Sequence, residues 1–209
     1  MSAGVHVLTS GNHIWKKKEI YSYLDHEDSL IRPANFPVGA PGKGWCVWRQ
    51  NGFSALIINL QGRVFMPNHV EDPFRCVDEI IKHQRVHSAV VIVDMHAEAT
   101  SEKNAMGWYL DGRASIVYGT HTHVQTADER ILPAGTAYIT DVGMCGPLDS
   151  VIGMETETVI RGFLTQLPRQ FEVAEGNVAL QGIIVDVDEA TGKARSVRRL
   201  REPWEANHT

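Results

Sequence analysis

The sequence predicts an α/β protein in which two mixed sheets pack face to face with helices outside, and three observations point to it. Apolar, β-branched runs at Val5 to Thr9, Ala89 to Val93 and Ile116 to Tyr118 each end in a polar, imidazole-bearing stretch, the pattern of strands that deliver side chains to one edge of a sheet. Asp72-Pro73 opens a helical stretch between two strand-like runs, a β-α-β step that implies parallel pairing. Asn51-Gly52 separates the runs Trp45 to Trp48 and Phe53 to Leu60, and Asn-Gly between strands is a strong hairpin signal, so antiparallel pairing enters as well.

In chain order, Val5 to Thr9 is the first strand. Lys16 to Leu24 places Ile20, Tyr23 and Leu24 on one helical face, with the lysines solvated. Arg32 to Gly44 holds three Pro and three Gly and reads as a loop with fixed turns, in which Arg32 and Asn35 either reach a substrate or pin the loop. The Trp45 hairpin follows, and Gln61-Gly62-Arg63 at its end either lines a pocket or makes a turn. Asp72 is the expected N-cap of a helix with Pro73 as its first residue and Val77, Ile80 and Ile81 as its buried stripe. The strand Ala89 to Val93 leads to a helix starting near Thr100, and Ile116 to Tyr118 and Thr136 to Thr140 are further strands. Glu155 to Leu167 is helical, with Val159, Ile160, Phe163 and Leu164 inward and Pro168 ending it. From Phe171 to Leu200 apolar and polar residues alternate through Leu180, Ile183, Val185 and Val187, with a turn at Asp188 to Lys193 whose carboxylates, with Asp186, belong to the hairpin. Glu202 to Thr209 is expected to fray.

Composition sets outer bounds. With 209 residues, 43% hydrophobic and 22% charged, the chain is an ordinary globular sequence large enough for one core, and a single domain over residues 1–209 is expected. A net charge of -5 argues against a broad nucleic-acid footprint. Cys46, Cys76 and Cys145 lack Cys-x-x-Cys spacing and read as free thiols of a reducing compartment. With no membrane-length apolar run and no signal-peptide pattern, a cytoplasmic location without membrane association is expected.

The chemistry gathers at the three strand ends. Gly11-Asn12-His13, Asp94-Met95-His96-Ala97-Glu98 and Gly119-Thr120-His121-Thr122-His123 each follow a strand, where open α/β sheets place their sites, so one shared pocket is expected. A metal is its economical occupant: imidazole suits zinc, manganese, iron and copper, and an Asn oxygen with nearby carboxylates shifts the site toward oxygen-tolerant divalent ions. Glu98 either orients an imidazole or caps the helix near Thr100, and Asp94 carries the same two readings. His26, His69, His83, His87 and His208 lie in polar surroundings and are read as solvated.

Gly-Asn-His, a lone His after a strand, and Gly-x-His-x-His in that order resemble the last three metal motifs of the calcineurin-like metallophosphoesterases. Longer strings are similar to one bacterial branch, the YmdB-like phosphoesterases: Ser10 to Trp15, Arg32 to Pro37, Asn59 to Arg63, His96 to Lys103, Gly119 to Thr126 and Ile139 to Met144. The resemblance runs from about Ala3 to Leu200. It implies a four-layer sandwich, a centre of two divalent ions (iron, manganese or zinc), and hydrolysis of a small phosphodiester, most specifically a 2',3'-cyclic nucleotide. By motif order it implies Asn12, His96 and His121 as ligands of one ion, His123 as a ligand of the other, and His13 as the general acid for the leaving oxygen. The family's Gly-Asp and Asn-Gly-Glu-Asn motifs, which supply carboxylates upstream of Gly-Asn-His, occur nowhere in the sequence, so the chain resembles a member lacking roughly its first sixty residues, with fewer than two ions expected. The alternative expectation is a non-catalytic remnant or assembly subunit with a partial metal site. The sequence leaves a homo-oligomer open.

Overall fold

The computed structural model describes residues 4–204 of the chain. Its centre is a six-stranded mixed sheet in the order β3-β4-β5-β6-β8-β7, formed by β3 (Trp45–Gln50), β4 (Phe53–Gln61), β5 (Val90–His96), β6 (Ile116–Thr120), β7 (Arg130–Ile131) and β8 (Ala137–Ile139). The four inner strands β4, β5, β6 and β8 run parallel, while β3 and β7 are antiparallel edges. Parallel strands are covered on both faces, which explains why Ala55 to Leu60 and Val90 to Val93 read as almost unbroken apolar runs. The β3–β4 turn is made by Asn51 and Gly52, both at positive φ (51° and 83°), the backbone that a two-residue hairpin of this twist requires.

One face of this sheet carries the main core. Leu56, Ile58 and Leu60 of β4, Val91, Val93 and Met95 of β5, and Val117 of β6 pack with Val77 and Ile81 of α2 (Pro73–Gln84) and Met106 of α3 (Thr100–Tyr109). Asp72 caps α2 as expected, its carboxylate accepting from the N–H groups of Phe74 (2.9 Å) and Arg75 (3.3 Å). The opposite face buries Ala55, Ile57 and Val90 against Ile31, with Val7, Ile92 and Val187 at the margin. It is covered by elements outside the large sheet. One is a parallel pair, β1 (Leu8–Thr9) with β2 (Leu30–Ile31); the other is an antiparallel three-stranded sheet of β9 (Gly146–Pro147), β10 (Val178–Val187) and β11 (Ala194–Pro203).

Three sequence expectations change. The Val5 to Thr9 strand shortens to β1 and pairs with β2, so only two of the three motif-bearing strands share a sheet, and the third arrives from a separate pair. The helix expected from Lys16 begins later, as α1 (Ile20–His26), and buries Leu24 while Tyr23 stays exposed, because the Gly-Asn-His loop continues into a single 3-10 turn at Ile14–Lys16. In α4 (Thr156–Thr165) only Val159 is buried; Phe163 and Leu164 are 74% and 80% exposed, since no described element lies over that side of the helix. The expected fraying of Glu202 to Thr209 lies partly outside the described residues, as does His208; Glu202 and Pro203 belong to β11. Among the described residues no helix is long and apolar enough to cross a membrane.

Candidate active site

β5 and β6 are adjacent and parallel, and His96 is in register with Thr120, so the ends of these strands hold His96 and His121 at one level. The Gly11-Asn12-His13 loop comes to them from β1 and fits because Gly11 has no side chain: a Cβ there would lie 2.2 Å from the His96 ring. Asn12 Oδ1 sits 2.9 Å from His96 Nε2, and His121 Nδ1 sits 3.2 Å from the same nitrogen. The two imidazoles meet edge to face, with centroids 4.8 Å apart.

With Asp94 ionised, the outer hydrogen bonds set which nitrogens carry protons. Thr120 Oγ1 donates to Asp94 Oδ1 (2.8 Å), so it accepts from His96 Nδ1 (3.0 Å), which leaves His96 Nε2 with a bare lone pair. Glu98 Oε2 lies 3.1 Å from His121 Nε2, which places that ring's proton outward and bares His121 Nδ1. With these tautomers, His121 Nδ1 and Asn12 Oδ1 both face the bare His96 Nε2 with no proton between. Such an arrangement is repulsive alone and is relieved by a shared cation; donors held about 2.0–2.2 Å from one ion are themselves roughly 3 Å apart, as here. Two imidazoles and an amide oxygen are a donor set for a divalent transition-metal ion. Burial also favours the neutral rings that ligation needs: it pushes His96 down to about 3, with help from the neighbouring His121 and Lys103, and it lowers His121 against the opposing pull of Glu98. Asp94, buried beneath, is pushed up to about 7 by desolvation, against hydrogen bonds from Thr9 and Thr120.

The remaining candidates divide. His13 is exposed beside Asn12, close enough for its charge to bear on His96. His123 is not drawn into the trio, because its Nδ1 lies 3.0 Å from the carbonyl oxygen of Ile152. Arg32 and Asn35 do not offer themselves to a substrate. The Arg32 guanidinium donates to the carbonyls of Pro33, Ala34, Ala40 and Pro41, and Asn35 bridges the backbone of Gln61 and Glu71, so both pin the loop. Of the two readings of Glu98, the side chain follows the one toward imidazole; the N-cap of α3 is Ala99. Gln61 ends β4 in register with His96, its Oε1 buried without a partner, so that stretch borders the site as well as turning the chain.

Three residues beside the site escaped the sequence reading. Glu102 accepts from the N–H groups of Arg63 and Val64 and fixes the loop after β4. Lys103 and Asp141 form an ion pair of 2.7 Å that is almost wholly buried (1% and 0% exposed). A signal for Lys103 existed: it shares a helical stripe with the apolar Met106 and Leu110, a position where a charge needs a partner. Thr122 stands between two residues in left-handed backbone, His121 (φ 102°) and His123 (φ 65°), each a conformation that costs a non-glycine residue roughly 1–3 kcal/mol. Among the described residues no three His, Cys, Asp or Glu side chains gather as a metal-holding group, so the converging trio carries no carboxylate.

Two imidazoles at the ends of adjacent parallel strands, met by an amide from a loop of a separate strand pair, are an arrangement of the kind hydrolases use at the strand ends of α/β sheets. The chain belongs to the YmdB-like protein family, whose model matches residues 1–200. It is 54% identical over 200 residues to the 2',3'-cyclic-nucleotide 2'-phosphodiesterase of Bacillus subtilis (strain 168), an alignment spanning 96% of this chain and 75% of that protein. Among solved structures it superposes on a hypothetical protein from Thermus thermophilus with a TM-score of 0.90 at 42% identity, covering 97% of this chain and 78% of that one. A structure titled as a novel phosphatase, from Mycoplasma pneumoniae, gives a TM-score of 0.89 at 39% identity, with 97% and 73% covered.

Proposed function

We propose that this chain is a phosphoesterase acting on small phosphodiesters, of the 2',3'-cyclic nucleotide class, through a divalent ion held by Asn12, His96 and His121. The observation that carries the reading is that Asn12 Oδ1 and His121 Nδ1 lie 2.9 Å and 3.2 Å from His96 Nε2, with each imidazole backed by Glu98 or by Thr120 and Asp94. The 54% identity to a phosphodiesterase of that substrate class supports it. A bound ion supplies Lewis-acid stabilisation of a phosphoryl oxygen and an acidified water. The chain's own residues do the rest. Gly11 lets the Asn12 loop approach, and the outer carboxylates hold the rings in the orientation that ligation requires. His13, exposed at the mouth of the site, protonates the departing oxygen, a role suited to imidazole near neutral pH. His123 is assigned to a second ion position, and the ion held by the trio is read as iron, manganese or zinc. The chain is read as one domain, with α2 and α3 on one face of the large sheet and the β9–β11 sheet on the other as parts of a four-layer sandwich.

The test is hydrolysis of a 2',3'-cyclic nucleotide in the presence of Mn2+ by the wild type, His13→Ala and His121→Ala. Turnover lost in both variants, with bound metal lost only in His121→Ala, is the expected result. A wild type that binds the ion and turns over neither this substrate nor bis(p-nitrophenyl) phosphate would favour a non-catalytic metal-binding subunit, the reading that a trio without carboxylates most directly invites.

A further inference from the structure

The loop that carries both imidazoles of the His-x-His motif is held by a device on the far side of β6 from the trio. Asp141 lies two residues beyond β8, and its carboxylate is filled on all sides. Oδ2 accepts from Lys103 Nζ (2.7 Å), Thr122 Oγ1 (2.7 Å) and the Thr122 N–H (3.1 Å), and Oδ1 accepts from the Gly143 N–H (2.9 Å). The Asp141 backbone is tied as well, its N–H donating to Thr126 Oγ1 (3.0 Å) and its carbonyl accepting from the Thr126 N–H (3.1 Å). Between them these bonds grip the chain on either side of His123. Gly119 closes the same corner, since a Cβ there would meet the Thr140 carbonyl oxygen at 1.8 Å and Lys103 Cδ at 2.7 Å.

The geometry points to Asp141, held by Lys103, as the positioning residue that sets the His121 and His123 rings for an ion and substrate, with Thr122 as the link. His121 and His123 both sit in left-handed backbone, which persists only where the surroundings over-determine it, and the residue between them is the one fixed through both its amide and its hydroxyl. A buried carboxylate with four donors is a rigid anchor, because each donor would be left unsatisfied by any rotation. The cation keeps the carboxylate from being a lone buried charge, and the anion does the same for the lysine. Such partners behind the ligands set metal affinity by orienting the donors, commonly by about ten- to a hundredfold. This inference rests on the metal-site reading above for its functional meaning, and on the loop geometry alone for its structural content.

The experiment compares the full chain with Thr122→Val, Thr122→Ser, Asp141→Asn and Lys103→Met, using Co2+ as the probe ion, its visible absorption as the signature, and amide hydrogen exchange across residues 119–124 in the metal-free proteins. Thr122→Val deletes one hydroxyl bond and leaves the buried pair intact, so it reports even if Asp141→Asn or Lys103→Met fails to fold. Thr122→Val is expected to bind Co2+ about tenfold more weakly, with an altered absorption band and faster exchange at residues 121–123, and Thr122→Ser to return all three to within about twofold of wild type. Unchanged affinity, band and loop exchange in Thr122→Val would overturn the inference, as would a loss of thermal stability in Asp141→Asn with the band and loop exchange intact. If the wild type takes up no Co2+, the metal-site reading falls, and loop exchange in Thr122→Val against Thr122→Ser still decides whether Asp141 sets the loop.

Discussion

Gly11 shows how one residue type can be dictated by a neighbour far along the chain. The His96 ring occupies the space its Cβ would need, so Gly11→Ala must push either the ring or the Asn12 loop aside. We expect that variant to lose about 1–3 kcal/mol of stability, read by urea denaturation, and to bind Mn2+ at least tenfold more weakly by calorimetry. His13 makes the opposite case. It stands exposed next to Asn12, so His13→Ala should leave ion binding within about twofold while lowering turnover by on the order of a hundred- to ten-thousandfold, the usual range for a lost general acid. Equal ion loss in His13→Ala and His121→Ala would show His13 to be a ligand. The cysteines separate by burial in the same way. Desolvation pushes the Cys46 and Cys76 thiols up to about 11, which cuts their thiolate fraction near neutral pH by about a hundredfold, so an exposed Cys145 should react first with a thiol reagent at pH 7.5. Mass spectrometry of the modified peptides checks the order. At this scale the sequence made legible the proximity of Asn12, His96 and His121, because each stands where a polar residue type and a strand end coincide. It was illegible at Arg32 and Asn35, whose partners are backbone carbonyls that only the folded loop brings near, and at Asp141, whose partner Lys103 lies 38 positions away.

The elements divide along the line between local and tertiary causes. Asn51-Gly52 and Asp72-Pro73 act through their own backbone, and the β3–β4 hairpin and α2 stand where those pairs put them. Asp72→Ala removes the cap and also the Arg63 pair, which is surface-exposed and adds little; a loss of about 1 kcal/mol and a Tm about 2–4 °C lower are expected by calorimetric scanning. An unchanged Tm would mean that water replaces the carboxylate at no cost. α4 shows what periodicity leaves out. Its apolar stripe is real in the sequence, and its helix and Glu155 N-cap form, yet Phe163 and Leu164 face outward with Leu167 and Phe171. Helical spacing of apolar residues says that one side of a helix is apolar and is silent about what covers it. The first strand failed for a related reason: Val5 to Thr9 has the composition of a strand, and its pairing partner, β2, is two residues long, so only Leu8 and Thr9 find hydrogen bonds.

For the molecule as a whole, the site depends on three separately built pieces meeting at one level: β5 and β6 of the large sheet, the β1 loop that crosses to them, and the β8 end that anchors the His-x-His turn. The class of fold was readable because parallel strands buried on both faces leave an apolar signature that antiparallel surface strands do not. How the smaller sheets lie against the large one was not readable, because it depends on contacts such as Gln125 Nε2 with the carbonyls of Gly182 and Leu200, each more than fifty residues distant. Everything proposed for the site requires that Asn12, His96 and His121 hold a single divalent ion without a carboxylate. The most direct test is a calorimetric titration of the metal-free chain with Mn2+, run beside His96→Ala. A stoichiometry below two, abolished in His96→Ala while that variant keeps its fold by circular dichroism, is the expected outcome; two tightly held ions per chain, or an unchanged isotherm in His96→Ala, would contradict it.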